Sequence, residues 1–357
     1  MRRLNSISLF SGCGGLDLGL ERAGFRTLIA LDNDASACES HALNFPHVAL
    51  IRKPVAAVTK GELRHLIGKK RIALLAGGPP CPPFSKSRFY RKDKPRALAD
   101  ANGLETITGY LDVLGWVRPK AFLLENVAGL AYSVHGAALR LIVERAESLG
   151  YSVDWRIINA ADYGVPQIRE RFFMVGTLAG RFEWPAPGHA KDPHADLFSQ
   201  GRLPWATAGA AIGDLDTEEA ADDEGHYAGG KHHDLLELVP PGDNYLYFTE
   251  KRGYPTPLFD WRSRYWSFLL KLSPDMPSWT IQARRSNNMG PFHWRNRILR
   301  VEEVKRLQTF PDDFALAGNV ERQWRQIGNA VPPVLAEKLG AAIRTCLEGD
   351  QGGTRDC

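Results

Sequence analysis

Cys81 has the sequence context of a reactive thiol. Two prolines precede it and two follow it in GGPPCPPFS, directly after an apolar run that predicts a buried strand. Because proline fixes φ, this loop has little freedom, and open α/β sheets bind ligands at the carboxyl ends of their strands. The basic residues that begin at Lys86 favour the thiolate, which is the nucleophilic form. A free cysteine is more often a small buried apolar side chain, but the four prolines favour the nucleophile.

Polar side chains also stand at the ends of two further predicted strands. Glu125 follows the apolar run AFLL, and Gln167, Arg169 and Arg171 precede the run FFMVG. The two-residue spacing of the arginines places both on one side of an extended chain. One carboxylate and two guanidinium groups near a thiol could bind a planar polar ring, although each alone is more often a salt-bridged surface group.

A glycine-rich turn follows the first predicted strand, SISLF. Gly12, Gly14 and Gly15 lack a Cβ and let the backbone approach a ligand closely. The third glycine of the dinucleotide fingerprint is replaced by Asp17, which disfavours a pyrophosphate ligand. Asp32 ends the next strand, where a carboxylate can accept ribose hydroxyls. These residues indicate a nucleoside without a diphosphate, and a purely structural turn is the alternative.

The elements that must position these residues follow an α/β pattern. Up to Thr177, short apolar runs alternate with helical stretches, which predicts a parallel sheet covered by helices on both faces. Residues from about 178 to 290 are rich in Pro, Gly and Trp and predict an irregular second domain. Helical signals return in RVEEVKRLQTF and PPVLAEKLGAAIRTCL. A chain of 357 residues with 44% hydrophobic residues is consistent with two domains and excludes disorder.

The charge is small overall but locally segregated. The 45 basic and 41 acidic residues give a net charge of +4, which by itself indicates no nucleic-acid partner. Residues 86–96 carry six basic side chains and one acid, and residues 284–300 carry five arginines and no acid. Residues 214–224 carry seven acids and no base. The basic stretches are candidate phosphate contacts, and solvated faces are the alternative.

Cysteine spacing and hydropathy exclude several classes of protein. The five cysteines form no close pair and no zinc-binding spacing, so we expect no disulfide framework, no metal site and a reducing cytoplasmic location. No apolar run approaches the ~20 residues that span a bilayer, so we expect neither a membrane partner nor a secretory signal.

The ordered motifs resemble those of DNA (cytosine-5) methyltransferases. The matching segments lie between residues 9 and 333 and read LFSGCGGLDLGLERAGF, LDND, GGPPCPPFS, ENVAGL, QIRERFFMVG, RLQTFPDDF and QIGNAVPP. The resemblance implies a Rossmann-like S-adenosylmethionine-dependent methyltransferase sheet with a smaller irregular target-recognition domain. It divides the chain into a catalytic domain, residues 1–177 plus 320–357, and a DNA-binding domain, residues 178–319. The C-terminal helix is then expected to pack back on the first domain.

The resemblance also implies a role for each candidate residue. Cys81 is the nucleophile, Glu125 contacts the cytosine at N3 and its amino group, Arg171 contacts O2, and Arg169 supports the site. The implied cofactor-binding residues are Phe10, Ser11, Gly12, Cys13, Gly14, Gly15, Asp32, Asn33, Pro79, Asn329 and Val331, with Gln326 and Gly328 helping to close the pocket. The implied DNA contacts are Ser85, Ser87, Arg88, Arg91, Lys92 and Gln167. The expected partner is double-stranded DNA, the expected state a monomer, and the expected setting a restriction-modification system.

Three positions depart from the family pattern. Pro82 follows the cysteine where the family usually has Gln, no Asp stands near residue 54 in IRKPVAAVT, and Asn102 replaces an expected Arg. The alternatives left open are a tRNA cytosine-5 methyltransferase of the same fold and a DNA-binding homologue without catalysis. The absent third glycine argues against a nicotinamide oxidoreductase.

Overall fold

The computed structural model describes residues 3–80, 100–195, 199–217 and 226–349. Their first half forms β1 (Leu4–Leu9), α1 (Gly15–Arg22), β2 (Phe25–Asp32), α2 (Ala35–Asn44), β3 (Ala49–Arg52), α3 (Lys60–Ile67), β4 (Leu74–Gly77), α4 (Ala101–Val117), β5 (Ala121–Val127), α5 (Gly136–Ser148), β6 (Ser152–Asn159), β7 (Gln167–Ile168) and β8 (Glu170–Thr177). The second half forms β9 (His189–Ala190), β10 (Leu203–Pro204), α6 (Ala208–Ile212), α7 (His233–Leu238), β11 (Ser278–Trp279), α8 (Val301–Leu307), α9 (Val320–Asn329) and α10 (Pro333–Gly349).

A seven-stranded mixed sheet organises the first half of the chain. Its order is β3-β2-β1-β4-β5-β8-β6, and β8 runs antiparallel to both of its neighbours. The prediction of a wholly parallel sheet was therefore wrong for β8. Only ten residues separate Asn159 at the end of β6 from Glu170 at the start of β8. A parallel return needs a crossover of about a dozen residues or more, so the chain turns back antiparallel.

Helices cover both faces of the sheet, as predicted. Alternate side chains of β5 point to opposite faces, with Phe122 in one buried cluster and Leu123 in another. Helices α3, α4 and α5 pack on the first face, whereas α1 and α10 pack on the second.

The C-terminal helix packs directly on α1, as the sequence predicts. A Cβ on Gly19 would lie 2.4 Å from the Cβ of Ala336, and one on Gly340 would lie 2.8 Å from the Cβ of Ala23. These glycines let the two helices approach closely. The last helix therefore completes the layer that carries the glycine turn.

The described residues between 178 and 290 form only short elements, as predicted. Residues from α6 to Ile281 share one buried cluster with α8 and α9, and Cys13 and Phe45 from the first half join that cluster. The core is therefore continuous across residue 319, and the division at that residue stays a prediction. None of the helices in the described ranges is long and apolar enough to cross a membrane.

Candidate active site

Glu125 and Arg171 form an ion pair at the edge of the sheet. Glu125 lies near the end of β5 and Arg171 near the start of the antiparallel β8, in which Val127 pairs with Arg171. The Arg171 Nε lies 3.3 Å from the Glu125 Oε1, and the side chains are only 15% and 9% exposed. Two neighbouring strands thus present a carboxylate and a guanidinium group side by side, and their contacts with a cytosine stay a prediction.

The environment of Glu125 favours its protonated form. Burial raises the pKa of its carboxyl above the usual value, and the positive charges of Arg171 and then Arg169 oppose that rise. A raised pKa widens the pH range over which the carboxyl is protonated, and in that form it can act as a hydrogen-bond or proton donor.

The turn after β4 lies against this carboxyl. A Cβ on Gly78 would lie 2.7 Å from the Glu125 Oε2, so only glycine leaves room for the acid in this position. The Asn126 amide Nδ2 donates a hydrogen bond to the Pro79 carbonyl at 3.1 Å. These contacts fix the segment that leads, two residues later in the sequence, to Cys81. Cys81 itself and the predicted DNA contacts Ser85, Ser87, Arg88, Arg91 and Lys92 lie outside the described residues.

Gln167 is buried rather than presented to a DNA surface. Its Nε2 donates to the Leu307 carbonyl at 3.3 Å, and its Oε1 accepts from the Ile281 N–H at 3.0 Å. With no exposed surface, the side chain has no access to a DNA groove. The structure therefore argues against the predicted DNA contact and gives Gln167 a part in joining β7 to the second half.

Arg169, between β7 and β8, binds backbone carbonyls of the second half of the chain. Its guanidinium is almost fully buried and donates to the carbonyls of Ile281, Gly328 and Ala330 at 3.1, 2.8 and 3.1 Å. These bonds position the chain between α9 and α10. Arg169 also lowers the pKa of Glu125 by its charge, although the group paired with the carboxylate is Arg171.

A cradle opens at Gly12. A Cβ built on Gly12 meets no atom within 4 Å, and its φ of 55° favours glycine. The Gly12 N–H donates to the Asp32 Oδ2 at 2.8 Å, and the Asp34 N–H donates to the Oδ1 at 2.8 Å. Phe10, half-buried, also has a positive φ of 55°, a conformation that concentrates at functional sites. Open space beside a fixed carboxylate fits a nucleoside with free hydroxyls, so the residues present are compatible with S-adenosylmethionine.

Gly14 and Gly15 allow other parts of the protein to pack closely against the turn and leave no space for a ligand. A Cβ on Gly14 would lie 2.4 Å from the Phe45 ring, and one on Gly15 would lie 2.6 Å from the Val331 carbonyl oxygen. Their missing side chains admit neighbouring protein groups rather than a ligand. Of the three glycines, Gly12 is the one whose missing Cβ leaves free space.

The remaining predicted cofactor residues differ in exposure. Ser11, Cys13, Pro79 and Val331 are buried, whereas Asn33 and Asn329 are exposed. Burial raises the pKa of the Cys13 thiol to about 12, and its Sγ lies 3.8 Å from the Gln326 carbonyl. Cys13 is therefore an inert core thiol that could offer only its backbone to a ligand. Within the described ranges, no cluster of three or more His, Cys, Asp or Glu side chains could hold a metal ion.

The basic stretch 284–300 is largely neutralised. Three of its five arginines form ion pairs: Arg285 with Glu321 at 3.4 Å, Arg295 with Asp216 at 2.5 Å, and Arg297 with Glu303 at 2.6 Å. Asp216 belongs to the acidic stretch 214–224, so the two stretches that the sequence separates meet in the fold. The ion pairs therefore argue against phosphate contacts by these three arginines, and contacts by Arg284 and Arg300 stay a prediction.

Gly78 and Asn126 are the site residues that the sequence analysis missed. Both stood next to residues that it singled out, Gly78 in the GGPPC segment and Asn126 directly after Glu125. The sequence features that pointed to them were a glycine before the prolines and an amide at the end of a strand. Neither feature shows that the turn after β4 contacts the end of β5, because the hydrogen bond between Asn126 and Pro79 joins residues 47 positions apart.

Comparisons with known proteins identify the family. The sequence model of the C-5 cytosine-specific DNA methylase family matches residues 4–345. The type II methyltransferase M.SacI of Streptomyces achromogenes is 38% identical over 94% of this chain and 92% of its own length. The type II methyltransferase M.MthTI of Methanothermobacter thermautotrophicus is 32% identical over 96% of this chain and 97% of its own.

The fold is similar to solved structures as well. The Dnmt2 methyltransferase of S. pombe superposes with a TM-score of 0.62 at 18% identity, covering 98% of this chain and 99% of that one. A methyltransferase of Entamoeba histolytica, EhMeth, gives a TM-score of 0.62 at 17% identity over 97% and 99% of the two chains. At these identities the likeness concerns the fold alone.

Proposed function

Because the chain belongs to the C-5 cytosine-specific DNA methylase family and is a DNA cytosine-5 methyltransferase, we propose that it acts through a covalent adduct between Cys81 and the target cytosine. The observation that carries this proposal is the Glu125–Arg171 pair, held against the Gly78–Pro79 turn that leads to Cys81. A carboxyl with a raised pKa and a neighbouring guanidinium match the N3 and O2 edge of a cytosine.

Each side chain has a defined task in the addition step. Carbon 5 of cytosine is a weak nucleophile, so the Cys81 thiolate forms a bond to carbon 6 and breaks the ring double bond. Protonated Glu125 gives its proton to N3, which takes up the displaced electron pair, while Arg171 donates a hydrogen bond to O2. Carbon 5 then has enamine character and can attack an electrophile.

The second half of the reaction restores the enzyme. When bound, S-adenosylmethionine supplies an electrophilic methyl group on its sulfonium sulfur. Gly12 and Asp32 would hold the nucleoside part, and Phe10 would contact the adenine. After methylation a base removes the carbon-5 proton, the thiolate leaves carbon 6, and the N3 proton returns to Glu125. The thiol and the carboxyl are then ready for another turnover.

The target base must leave the duplex before it can react. A stacked cytosine hides carbon 6, and turning it out costs a few kcal/mol. We assign that task to the segment from Pro82 to about Asp100, whose basic and aromatic residues would meet phosphates around the extruded base. Replacing Arg88, Arg91 and Lys92 by Ala should weaken duplex binding and flatten its dependence on salt concentration. An unchanged salt slope would remove this role.

An adduct assay tests the mechanism. The target sequence is obtained by sequencing methylated DNA from a host that expresses the protein, and a duplex with 5-fluorocytosine at the target position traps the intermediate. We expect a denaturation-resistant adduct that requires S-adenosylmethionine, no adduct with Cys81→Ser, and an unaltered adduct with the control Cys346→Ser in α10. Absence of the adduct with the unaltered protein, or an equal adduct with Cys81→Ser, would refute the mechanism.

We also propose that the methylation protects host DNA as one half of a restriction-modification system, since the relatives named above are type II methyltransferases. Host DNA carrying the methylated sequence should resist a restriction enzyme that cuts this sequence in unmethylated DNA. Cutting at the same rate in both DNAs would contradict this role.

A further inference from the structure

Residues 261–266 (WRSRYW, hereafter the 261–266 segment) form an exposed aromatic and basic surface. Trp261, Tyr265 and Trp266 are 38%, 61% and 52% exposed, and Arg262 and Arg264 are exposed as well. Large aromatic side chains with this exposure are unusual outside binding sites when they cluster. The segment lies within residues 178–319, which the resemblance implies to be DNA-binding, but the sequence singled out none of its residues.

Buried side chains hold the backbone of this segment in place. The Asn244 Nδ2, fully buried, donates to the Trp266 carbonyl at 2.8 Å. The Tyr245 hydroxyl donates to the Arg264 carbonyl at 2.9 Å and accepts from the Arg264 N–H at 3.1 Å. A surface whose backbone is fixed while its side chains face outward is suited to specific recognition, because little ordering entropy is lost on binding.

The cations of the segment lie on aromatic rings. The Arg264 guanidinium carbon lies 6.0 Å from the centroid of Phe259 and 5.8 Å from that of Phe268, and the Arg262 guanidinium lies 6.0 Å from Trp261. Stacking orients a planar guanidinium without neutralising it. In the described part of the chain neither arginine has an ion pair, in contrast to Arg295 and Arg297. These charges remain available to a partner.

The segment lies beside the strand that leads to the active site. The Trp266 ring contacts that of Trp279 in β11 with centroids 5.6 Å apart, and Trp279 pairs with Ile168 in β7. Arg171 follows Ile168 by three residues, a span of at most roughly 10 Å. A molecule whose reacting base contacts Arg171 would therefore pass near the 261–266 segment.

We propose that the 261–266 segment reads the sequence of duplex DNA next to the target cytosine. This inference rests on the proposed function and names the surface that selects its substrate. Exposed arginines of fixed orientation can donate two hydrogen bonds to the O6 and N7 of guanine, and exposed aromatic rings can contact thymine methyl groups or deoxyribose. A positive surface also complements the phosphate backbone.

The test measures sequence preference apart from catalysis. Protein carrying Cys81→Ser selects bound duplexes from a random pool and defines the preferred sequence, and equilibrium affinities are then measured for that sequence and a scrambled one. In this background Arg262→Ala, Arg264→Gln and Trp266→Ala should each weaken binding of the preferred duplex about tenfold or more. Binding of the scrambled duplex should change much less, so the ratio of the two affinities should fall.

Matched controls separate recognition from a general effect on folding or charge. Arg140→Ala on α5 and Trp155→Ala on β6 remove an exposed arginine and an exposed tryptophan elsewhere, and both should leave the affinity ratio unchanged. Unaltered ratios in all three segment variants would overturn the inference, and so would equal losses for both duplexes, which indicate phosphate contact alone. All binding is measured with protein that lacks Cys81. The affinity ratios are therefore independent of the adduct assay, and a failed adduct assay would neither leave the ratios unaltered nor make the two losses equal.

Discussion

The side-chain amide of Asn126 holds the Pro79 carbonyl at 3.1 Å, and this hydrogen bond joins the strand of Glu125 to the turn that precedes Cys81. Asn126 also accepts the Val127 N–H through its Oδ1 at 2.9 Å, so both ends of the amide are used. The contact is buried. It couples the position of the acid to that of the segment leading to the nucleophile, although neither end of the bond takes part in the chemistry.

Asn126→Ala should slow catalysis without abolishing cofactor binding. The change removes a buried hydrogen bond to the Pro79 carbonyl, which is worth about 0.5–1.5 kcal/mol, and loosens the turn before Cys81. A small displacement of reacting groups lowers rates by roughly a hundredfold, so we expect kcat to fall between tenfold and a hundredfold. Single-turnover methyl transfer measures the rate, and calorimetry should show a smaller loss in S-adenosylmethionine affinity than in kcat. The control Asn5→Ala, which removes an amide bond to the Arg71 carbonyl far from the site, should leave kcat as it is.

Gly78→Ala should displace Glu125. The new Cβ would lie 2.7 Å from the Glu125 Oε2, closer than real side chains tolerate, so the carboxyl must move. We expect kcat to fall roughly tenfold or more. The control Gly61→Ala in α3 adds a Cβ that meets no atom within 4 Å, and it should preserve activity and raise Tm slightly, since Ala favours helix. Equal activity of the two variants would show that the close approach of Gly78 is unimportant.

The elements of the sheet could be predicted from the sequence because their apolar runs are long and periodic. The direction of β8 could not, because it depends on the short connection after Asn159 rather than on the strand itself. The positions of Glu125 and Arg171 were predictable, since both flank apolar strands. Their 3.3 Å contact depends on the antiparallel register, which no local pattern reveals.

The predictions that failed share a physical reason. The DNA contact of Gln167 was implied by the family resemblance, and that of the arginines of 284–300 by their residue type, since polar side chains are usually exposed. Here they satisfy backbone groups or acids that come from distant parts of the chain, such as Leu307 and Asp216. Three of the five arginines of residues 284–300 have such acidic partners, whereas Arg262 and Arg264 have no ion pair within the described ranges.

The raised pKa of Glu125 should make the difference in stability between the unaltered protein and Glu125→Gln depend on pH. Burial raises its pKa in the folded state, so the folded protein binds more protons than the unfolded chain above the ordinary value of 4.5. Stability of the unaltered protein therefore decreases as pH rises from about 4.5 through the raised pKa, whereas Glu125→Gln lacks this loss.

Thermal unfolding at about pH 4.5 and about pH 8 checks this expectation. The Tm of Glu125→Gln minus that of the unaltered protein should increase with pH, while methyl transfer by the variant falls about a hundredfold or more. A Tm difference that stays constant would show that the pKa of Glu125 is not raised. Glu105→Gln on the exposed face of α4 provides the control and should give a constant difference.

Gly12→Ala should mainly weaken cofactor binding, whereas Gly14→Ala should mainly lower the stability of the fold. Gly12 has a φ of 55° and open space at its Cβ position, so Gly12→Ala should cost about 1 kcal/mol of backbone strain and place a methyl group in the cradle. We expect S-adenosylmethionine binding to weaken tenfold or more with a small change in Tm. Gly14→Ala drives a Cβ to 2.4 Å from the Phe45 ring, so it should lower Tm by several degrees. Gly253→Ala, at a φ of 76° with open space, isolates the effect of strain and should leave cofactor affinity intact. If calorimetry gave the same loss of affinity for Gly12→Ala and Gly253→Ala, the cradle would not lie at Gly12.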